Sequence, residues 1–457
     1  MVTTGIYCRP GCSANPDPGN VRGFPLAAAA EAAGYRACLR CRPYRWGAPP
    51  LQGVPKVVLR ALEAVVGGAL DSQNEAELGR RMGISGRHLR RQFQEHLGVT
   101  PDQLARSQRA HFARRLLDDT DLTVVEVALA AGFGSARQMN RVFLDVFRAT
   151  PKELRAKRRS SDRLAADGGL VLRLPVSGPL NWEAMLGYLR GRLIPGVEAV
   201  SGSTYRRTAL IEGDPAVLEL ELAASDTVLL RAHLPHWGGL MAIVGRARRI
   251  FSLDSDVASA EELMRQDQRL APLVARLPGL RPLGAWDPFE IGVRAIVGQQ
   301  VTVAGANTLT ARIVECHGVP VPGLTQLGLS HLFPSAEKLV EADLEAGGVP
   351  KGRADALRAF ANAVASHELH LEARGRLEEF AAEISAIKGL GPWTAQYLAL
   401  RLGEPDAFPA SDLGLRRALS GEPRGVANSA VAARVAEAWR PFRAFAAMHL
   451  WTAGSRT

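Results

Sequence analysis

The spacing of hydrophobic and polar residues changes along the chain, and each change predicts a different kind of structure. Residues 1–48 are loop-rich, with one clear helix near residues 25–34. Residues 55–157 and 257–457 repeat apolar residues at helical spacing, broken by short glycine turns. Residues 169–250 alternate apolar and polar positions in several runs, which is typical of half-buried strands. The pattern predicts a multidomain, mainly α protein that contains one mixed α+β domain.

Two linkers and the changes of spacing set the expected domain boundaries. The 457 residues allow roughly three or four domains of ordinary size. A proline-rich stretch at residues 48–50 and a polar stretch at 158–168 have the composition of linkers. We therefore expect a small α/β domain at 1–48, a helical domain at 52–158, a small α+β domain at 169–252 and an all-α domain at 257–457.

Composition and charge narrow the choice of compartment and partner. Hydrophobic residues make up 47% of the chain, but no apolar run comes near the ~20 residues that a membrane helix needs. The first residues match neither a secretory signal nor a transit peptide, so we expect a soluble cytoplasmic protein with no membrane contact. Residues 1–160 hold 25 Lys+Arg against 14 Asp+Glu, whereas the remainder holds 31 against 32. A basic first third favours DNA or RNA as partner, with a merely solvated basic surface as the alternative.

Four of the five cysteines lie in the first domain and form two close pairs, Cys8-x3-Cys12 and Cys38-x2-Cys41. A domain of this size buries little core, so it needs a metal or covalent link. In a reducing cytosol a metal is favoured over disulfides, and four thiolates suit tetrahedral Zn²⁺. Disulfides or free thiols are the alternatives.

The residues around these cysteines, TTGIYCRPGC and NVRGFPLAAAAEAAGYRACLRCRP, resemble the N-terminal domain of the Ada adaptive-response protein. The resemblance implies Zn²⁺ held by all four cysteines, with Cys8 as the acceptor of a methyl group from an alkylated DNA phosphate. A zinc-bound thiolate stays nucleophilic near neutral pH, and its methylation would lower the repulsion between the cluster and DNA. A purely structural zinc module is the alternative. Only seven residues precede Cys8, fewer than in the family, so either the start is misassigned or the domain is trimmed.

Two helix-turn-helix units are predicted in the second domain, at residues 76–97 and 124–147. In each unit a glycine ends the first helix and a serine, Ser85 or Ser135, caps the second. The second helices carry side chains suited to base edges and phosphates: Arg87, His88, Arg90, Arg91, Arg137, Gln138, Asn140 and Arg141. The pattern AxxxGFxSxxxxxRxF and the closing TPKELR resemble the DNA-binding domain of AraC-type regulators, which implies recognition helices in successive major grooves. A helical bundle with surface arginines is the alternative.

The segment at residues 387–412 carries the clearest sign of chemistry. Gly389, Gly391 and Pro392 predict a helix–hairpin–helix whose second helix points its N-terminal amides outward, a ready site for phosphate. Asp412 follows Gly391 by 21 residues, in a loop. An acid beside a phosphate-binding tip suggests chemistry on nucleic acid.

Most of the remaining chain resembles the AlkA-type 3-methyladenine DNA glycosylases. The matching motifs stand in the family's order: its small mixed domain at 170–249, its first catalytic-domain helices at 286–313, its hairpin and acid at 387–412, and its last helix at 439–451. The resemblance implies an enzyme that flips an alkylated base out of duplex DNA and hydrolyses its N-glycosidic bond. Bifunctional relatives carry a lysine where Trp393 stands, so a monofunctional enzyme without lyase activity is expected.

The same resemblance assigns roles to individual residues. Asp412 would stabilise the oxocarbenium-like sugar and orient water, and Gln300 would fill the vacated stack where the family often has leucine. The hairpin would grip a phosphate, with a monovalent cation on its carbonyls. Base-pocket and hairpin contacts are expected from Trp393, Tyr397, Trp451, Lys388, Gly389, Gly391 and Thr394. Ordinary core packing is the alternative for the aromatic residues, and a helix N-cap is the alternative for Asp412.

The fifth cysteine, Cys316, lacks the neighbours of a methyl-acceptor thiol and is expected to be a helix-core residue. The whole chain is then predicted to be a fused alkylation-response protein. Its first half would sense methyl phosphotriesters and activate transcription, and its second half would excise alkylated bases. Expected partners are alkylated double-stranded DNA, promoter DNA and RNA polymerase, and the chain is expected to be a monomer. The rival hypothesis is a DNA-binding regulator whose glycosylase fold is inactive.

Overall fold

The computed structural model of the chain describes residues 1–14, 17–45, 53–158, 162, 164, 169–369, 371, 377–420 and 425–454. These residues belong to two compact units: the first is Met1–Ser177 with Leu229–Arg246, and the second is Gly178–Val228 with Ala247–Thr457. The four domain boundaries expected from the sequence are finer than this division and stay predictions. Across the described ranges, no helix has both the length and the apolar character that crossing a membrane requires.

The first 45 residues form a small α/β arrangement, as expected. Strand β1 (Ile6–Tyr7) pairs in parallel with β2 (Arg36–Ala37), in the register Ile6↔Arg36 and Tyr7↔Ala37. Helix α1 (Ala27–Ala32) connects them and confirms the helix predicted near residues 25–34. The parallel pairing matters because a cysteine follows each strand directly.

Helices then dominate, and their bounds in the described chain are α2 (Lys56–Val66), α3 (Ala69–Ser72), α4 (Glu75–Arg81), α5 (Gly86–Leu97), α6 (Pro101–Asp119), α7 (Val124–Ala130), α8 (Ala136–Phe147) and α9 (Pro151–Ala156). Polar side chains cap each start from α4 to α9. The predicted caps are confirmed: Ser85 Oγ accepts from the His88 amide at 3.2 Å, and Ser135 Oγ accepts from the Gln138 amide at 3.1 Å. The two helix-turn-helix units are therefore α4–α5 and α7–α8, with α6 between them.

The alternating segment forms strands and two helices: β3 (Leu170–Pro175), α10 (Trp182–Arg190), β4 (Glu198–Ser201), β5 (Thr204–Ile211), β6 (Asp214–Ala224), β7 (Thr227–His233) and α11 (Leu240–Ile250). In the first unit, β3 and β7 are neighbours. In the second unit, β4, β5 and β6 form an antiparallel meander with pairs such as Val200↔Tyr205 and Arg207↔Leu218. This confirms the strands expected from the period-two pattern.

The rest of the second unit is almost entirely helical. Its elements are α12 (Val257–Met264), α13 (Ala271–Arg276), α14 (Pro288–Val297), α15 (Val303–His317), the paired strands β8 (Val319–Pro320) and β9 (His331–Leu332), α16 (Ala336–Val340), α17 (Lys351–Ala365), α18 (Leu377–Ala386), α19 (Pro392–Arg401), α20 (Leu413–Ala418), α21 (Ser429–Ala436) and α22 (Arg443–Gly454). Every residue of α22 up to Thr452 is buried, so this helix forms the centre of the unit. The predicted fold class is confirmed.

The prediction that Cys316 is a helix-core residue is wrong. The residue lies on α15 but is exposed to solvent. The buried face of α15 runs through Ala306, Thr310, Ile313 and Val314. At about 100° per residue, Cys316 lies roughly 200° beyond Val314, on the solvent side of the helix.

Candidate active site and metal centre

The hairpin between α18 and α19 has the expected backbone. Gly389 has φ +89°, and a Cβ there would meet Ala356 Cβ at 2.6 Å, so only glycine fits this turn. Gly391 is the N-cap of α19 without a side-chain cap, and Pro392 follows it. Because proline has no N–H, the outward amides of the first turn belong to the two residues after it. Such amides, together with the helix dipole, are suited to an anion, and the predicted phosphate contact at this turn stays a prediction.

The predicted hairpin contacts differ in what they can offer to DNA. Lys388 and Gly389 are exposed. Thr394 is buried, and its Oγ1 accepts a hydrogen bond from Gln299 Nε2 at 3.0 Å. Because the side chain is buried, we expect any contact from Thr394 to a phosphate to come from its backbone amide.

Asp412 lies at the N-terminus of α20 and is held by three N–H donors. Its Oδ1 accepts from Trp451 Nε1 at 2.8 Å and from the Leu415 amide at 3.0 Å. Its Oδ2 accepts from Trp393 Nε1 at 3.0 Å. Asp412 is thus a helix N-cap, the simpler of its two interpretations, and is also bonded to two of the predicted pocket residues. The carboxylate is half-buried with a fixed orientation.

The aromatic residues named from the sequence form one cluster beside this carboxylate. Trp393 and Tyr397 stack with ring centroids 5.2 Å apart and planes 10° apart. Tyr397 meets Trp451 edge-on at 6.2 Å. Tyr188, on α10, completes the cluster with its ring 6.2 Å from that of Trp451. The sequence offered no signal for this role of Tyr188, because an aromatic residue on an amphipathic helix usually packs in the core.

Arginine side chains contact the two tyrosines of the aromatic cluster. Arg401 donates from Nη1 to the Tyr397 hydroxyl at 2.9 Å, and the Arg192 guanidinium lies 3.7 Å from the Tyr188 ring centre. Burial raises the pKa of Tyr397, but the positive charges of Arg401, Arg294 and Arg192 outweigh it and leave that pKa below its ordinary value. Burial raises the pKa of Tyr188 to about 12. The cluster therefore presents two phenol hydroxyls of unequal acidity.

A tight turn between α14 and α15 lies against the hairpin. Gln300, at its tip, is exposed and has φ +54°, an uncommon conformation for a residue other than glycine. Gln299 Nε2 donates to the Gly389 carbonyl at 3.2 Å, and Arg353 Nη2 donates to the Gln299 carbonyl at 2.7 Å. These contacts hold the exposed Gln300 beside the hairpin.

The four N-terminal cysteines come together as predicted. Their sulfur atoms all lie within 4.8 Å of one another, and all four are free thiols rather than disulfides. Four sulfurs at a Zn–S distance of about 2.3 Å stand about 3.8 Å apart in a regular tetrahedron, so the donor set fits Zn²⁺. Burial raises the pKa of the Cys38 thiol, but the amides of Cys41 and Arg40 outweigh this and lower it overall.

The recognition helices carry the predicted polar side chains in different states. Arg87, Arg137 and Arg141 are exposed, and Asn140 is half-buried. Arg90 is exposed but forms an ion pair with Glu75 at 2.8 Å. Arg90 must exchange this carboxylate for a phosphate if it is to contact DNA.

Comparison with known proteins assigns families to these parts. Residues 1–44 match the metal binding domain of Ada, and residues 78–157 match a helix-turn-helix domain. Residues 171–287 match the AlkA N-terminal domain, and residues 293–439 match the HhH-GPD superfamily of base excision DNA repair proteins. Fold and sites together define a helix–hairpin–helix DNA-repair protein that also carries a metal-binding and a helix-turn-helix part.

Relatives of the whole chain extend this result. A probable bifunctional transcriptional activator/DNA repair enzyme AlkA of Mycobacterium tuberculosis is 38% identical over 99% of this chain and 92% of the relative. The chain belongs to this family of bifunctional AlkA proteins. DNA-3-methyladenine glycosylase 2 of Escherichia coli is 32% identical over 60% of this chain and 94% of its own length. The solved 3-methyladenine DNA glycosylase of Archaeoglobus fulgidus shares the fold, with a TM-score of 0.55 at 24% identity over 62% of this chain and 98% of that one.

Proposed function

We propose that this protein excises alkylated bases of the 3-methyladenine type from DNA, with Asp412 as the catalytic carboxylate. The observation that carries the proposal is the bonding of Asp412 to the indoles of Trp393 and Trp451 at 3.0 and 2.8 Å, beside Tyr397. An acid anchored to aromatic side chains places a negative charge next to a surface that suits a flat base. The relatives named above, a bifunctional activator/repair enzyme and 3-methyladenine glycosylases, support this choice of substrate.

The chemistry follows from these groups. A flipped alkylated purine carries a positive charge and stacks on electron-rich aromatic faces. The C1′–N bond breaks with its electrons passing to the base, which leaves as a neutral molecule, and the sugar becomes oxocarbenium-like. The Asp412 carboxylate stabilises this positive charge and orients a water molecule. The water oxygen bonds to C1′, and its proton passes to the carboxylate and then to solvent.

Water rather than an amine is the nucleophile. Position 393 is tryptophan, whose indole has no lone pair for a Schiff base. Lys388 lies at the exposed hairpin and is assigned to phosphate. Borohydride should therefore trap no covalent complex with damaged DNA. Trapping of the wild-type protein that is lost in Lys388→Ala would overturn the monofunctional assignment.

The hairpin holds the DNA through backbone groups. The first amides of α19 suit a phosphate, and the exposed Gln300 suits the gap left by the flipped base. A monovalent cation would bind the hairpin carbonyls. The Gly389 carbonyl already accepts a bond from Gln299, so the ion would share that oxygen.

The first unit senses and regulates. Zn²⁺ bound by Cys8, Cys12, Cys38 and Cys41 would keep these thiols as thiolates, and Cys8 is proposed as the methyl acceptor. The phosphotriester C–O bond breaks as the Cys8 S–C bond forms, and the phosphate recovers its negative charge. The exposed arginines of α5 and α8 would then hold promoter DNA for RNA polymerase.

The decisive test of the enzyme is base release from a duplex that contains 3-methyladenine. Asp412→Asn keeps the size and capping ability of the side chain but removes its charge and the acceptor oxygen that faces the Trp393 indole, and we expect base release to fall by about 100- to 1000-fold. Asp256→Asn is a matched control because Asp256 is also a helix N-cap, accepting from the Ser259 amide at 3.1 Å. Base release unchanged in Asp412→Asn would refute the catalytic role.

The sensor is tested separately by mass spectrometry after incubation with methylated DNA. One added methyl group on Cys8 is expected. A methyl group on Cys12, Cys38 or Cys41 would refute the assignment of Cys8. Zinc content without any methylation would indicate a purely structural metal site.

A further inference from the structure

Both ends of the cysteine cluster are anchored to one helix of the helix-turn-helix region. Tyr7 directly precedes Cys8, and Arg42 directly follows Cys41. The side chains of Tyr7 and Arg42 reach α6, the helix between the two helix-turn-helix units. The short pair of strands β1 and β2 therefore leads directly into Cys8 and Cys38, and the residues next to Cys8 and Cys41 contact α6.

The anchor before Cys8 is a buried polar network. Tyr7 Oη donates to Glu31 Oε1 at 2.6 Å and lies 3.1 Å from His111 Nε2. His111 Nε2 lies 2.5 Å from the same Glu31 oxygen, and both side chains are buried. The His111 ring also packs edge-on against Phe147, the last residue of α8, with centroids 5.4 Å apart. One imidazole therefore links the strand that presents Cys8 to the second recognition helix.

The anchor after Cys41 is a buried group of ion pairs. Arg42 Nη1 lies 2.5 Å from Asp162 Oδ2 and 3.6 Å from Asp118 Oδ2. Tyr44 Oη donates to Asp118 Oδ2 at 3.1 Å, and Arg114 pairs with Asp118 at 2.8 Å. Asp118 is fully buried. Because a buried carboxylate without a partner is strongly destabilising, Asp118 should keep its contacts with Arg42, Tyr44 and Arg114 in the folded protein.

His111 and Asp118 are seven residues apart on α6, which is about two helical turns and places them on one face. We propose that these two residues are positioning residues of the zinc site, so that α6 is part of its scaffold. The inference rests on the proposed function only in taking Zn²⁺ as the metal of the four cysteines. In other metal sites a partner bonded directly to a ligand orients it, whereas His111 and Asp118 would act one residue further out, through the neighbours of Cys8 and Cys41. Because a coupling free energy acts in both directions, any change in the cluster also acts on α6 and on the recognition helices that pack against it.

Zinc affinity of the unmethylated full-length protein, measured by competition with a chromophoric chelator, tests this proposal. Tyr7→Phe and Asp118→Asn should each weaken zinc binding about 10-fold, the lower end of the effect of removing a partner bonded directly to a ligand. Arg109→Gln is the matched control, since Arg109 also lies on α6 but forms its ion pair, at 2.6 Å, with Asp71 and not with a residue next to the four cysteines. We expect its zinc affinity to stay within about twofold of the wild type.

Zinc affinity unchanged in Tyr7→Phe and Asp118→Asn would overturn the proposal, and so would an equal loss in Arg109→Gln. If Asp118→Asn disrupts the fold, Tyr7→Phe decides, because it removes one hydroxyl and no charge. Hydrogen exchange gives a second readout: removal of zinc should speed exchange in α6 more than in α17. Equal exchange with and without zinc would refute the link. Failure of the wild type to bind zinc would instead refute the proposed metal. Zinc affinity and hydrogen exchange are both measured on the unmethylated protein, so a protein that binds zinc but does not transfer a methyl group still allows both measurements.

Discussion

Replacing Trp451 with phenylalanine tests whether its indole N–H, rather than its aromatic ring, positions Asp412, the proposed catalytic carboxylate. The change removes the 2.8 Å bond to Asp412 Oδ1 and keeps a ring beside Tyr397. Asp412 keeps its bonds from Trp393 and from the Leu415 amide. The carboxylate therefore stays in place but loses one of three donors, so its orientation becomes looser.

The size of the effect can be worked out from this hydrogen bond. A hydrogen bond to a charged group contributes about 1.5–3 kcal/mol. If the full contribution is expressed in the transition state, the excision rate falls about 10- to 150-fold. Removal of the indole also leaves a small cavity, because Trp451 is only 8% exposed. The cavity lowers stability, so a control must separate stability from catalysis.

Single-turnover base release from a 3-methyladenine duplex measures the rate, and thermal unfolding measures stability. Trp439→Phe is the control, because Trp439 is buried and its Nε1 donates to Asp267 at 2.9 Å, away from the pocket. It repeats the lost volume and the lost indole bond to an aspartate. We expect a similar fall in stability from both variants but a fall in rate only from Trp451→Phe.

A double-mutant cycle with Asp412→Asn completes the test. If the indole acts through the carboxylate, Trp451→Phe should cost little more in a protein that already lacks the charge. Equal fold-losses in the two backgrounds would refute this reasoning and assign Trp451 to stacking alone. An equal loss of rate in Trp439→Phe would show that stability, not positioning, limits excision.

Three further predictions concern stability and the hairpin. Burial lowers the pKa of His449 to about 4, so the unfolded chain takes up a proton before the folded protein does as the pH falls below about 6.5. At pH 5 this difference in proton uptake lowers the free energy of unfolding by about 2 kcal/mol. In His449→Gln, the loss of stability between pH 7 and pH 5, followed by tryptophan fluorescence during unfolding, should therefore be smaller. Arg207→Met should cost about 3–5 kcal/mol in denaturant unfolding, because the Glu290 side chain, only 13% exposed, loses its two bonds at 2.8 Å from Arg207, and adding Glu290→Met should restore much of the stability. Gln299→Ala removes the bonds that tie the turn to the hairpin at Gly389, so excision from duplex DNA should fall about 5- to 10-fold while excision from single strands changes less. Equal losses on the two substrates would argue against a role of the turn in base extrusion.

The sequence predicted local structure well where the chain carries its own signals. Ser85 and Ser135 cap helices because a hydroxyl three residues before an amide suffices to satisfy it. The hairpin could be predicted for a similar reason: Gly389 adopts the positive φ of the turn, and Pro392 suits the first position of α19. The spacing of the four cysteines was likewise sufficient to predict that their sulfur atoms lie close together.

Contacts between distant segments could not be predicted in this way. Tyr188 joins the aromatic cluster from a helix more than 200 residues before Tyr397, and helical period alone does not say what a helix packs against. The prediction for Cys316 is wrong because a residue two positions after the buried Val314 lies on the opposite side of the helix. Thr394 is buried and its hydroxyl oxygen accepts a hydrogen bond from Gln299 Nε2, a contact with no sequence signal.

The distribution of charge separates the two tasks of the protein in physical terms. The first 160 residues hold 25 cationic against 14 anionic side chains, and the remainder is almost balanced at 31 against 32. Cationic side chains release counterions when they neutralise phosphates, so affinity that depends on them falls steeply with salt. The hairpin is proposed to bind its phosphate with uncharged backbone amides, which add no cationic side chain to the count of counterions released. It follows that salt should weaken the binding of the whole chain to DNA far more than it slows excision from DNA already bound, because that step depends on the Asp412 carboxylate, which three N–H donors hold in place, and releases no counterions.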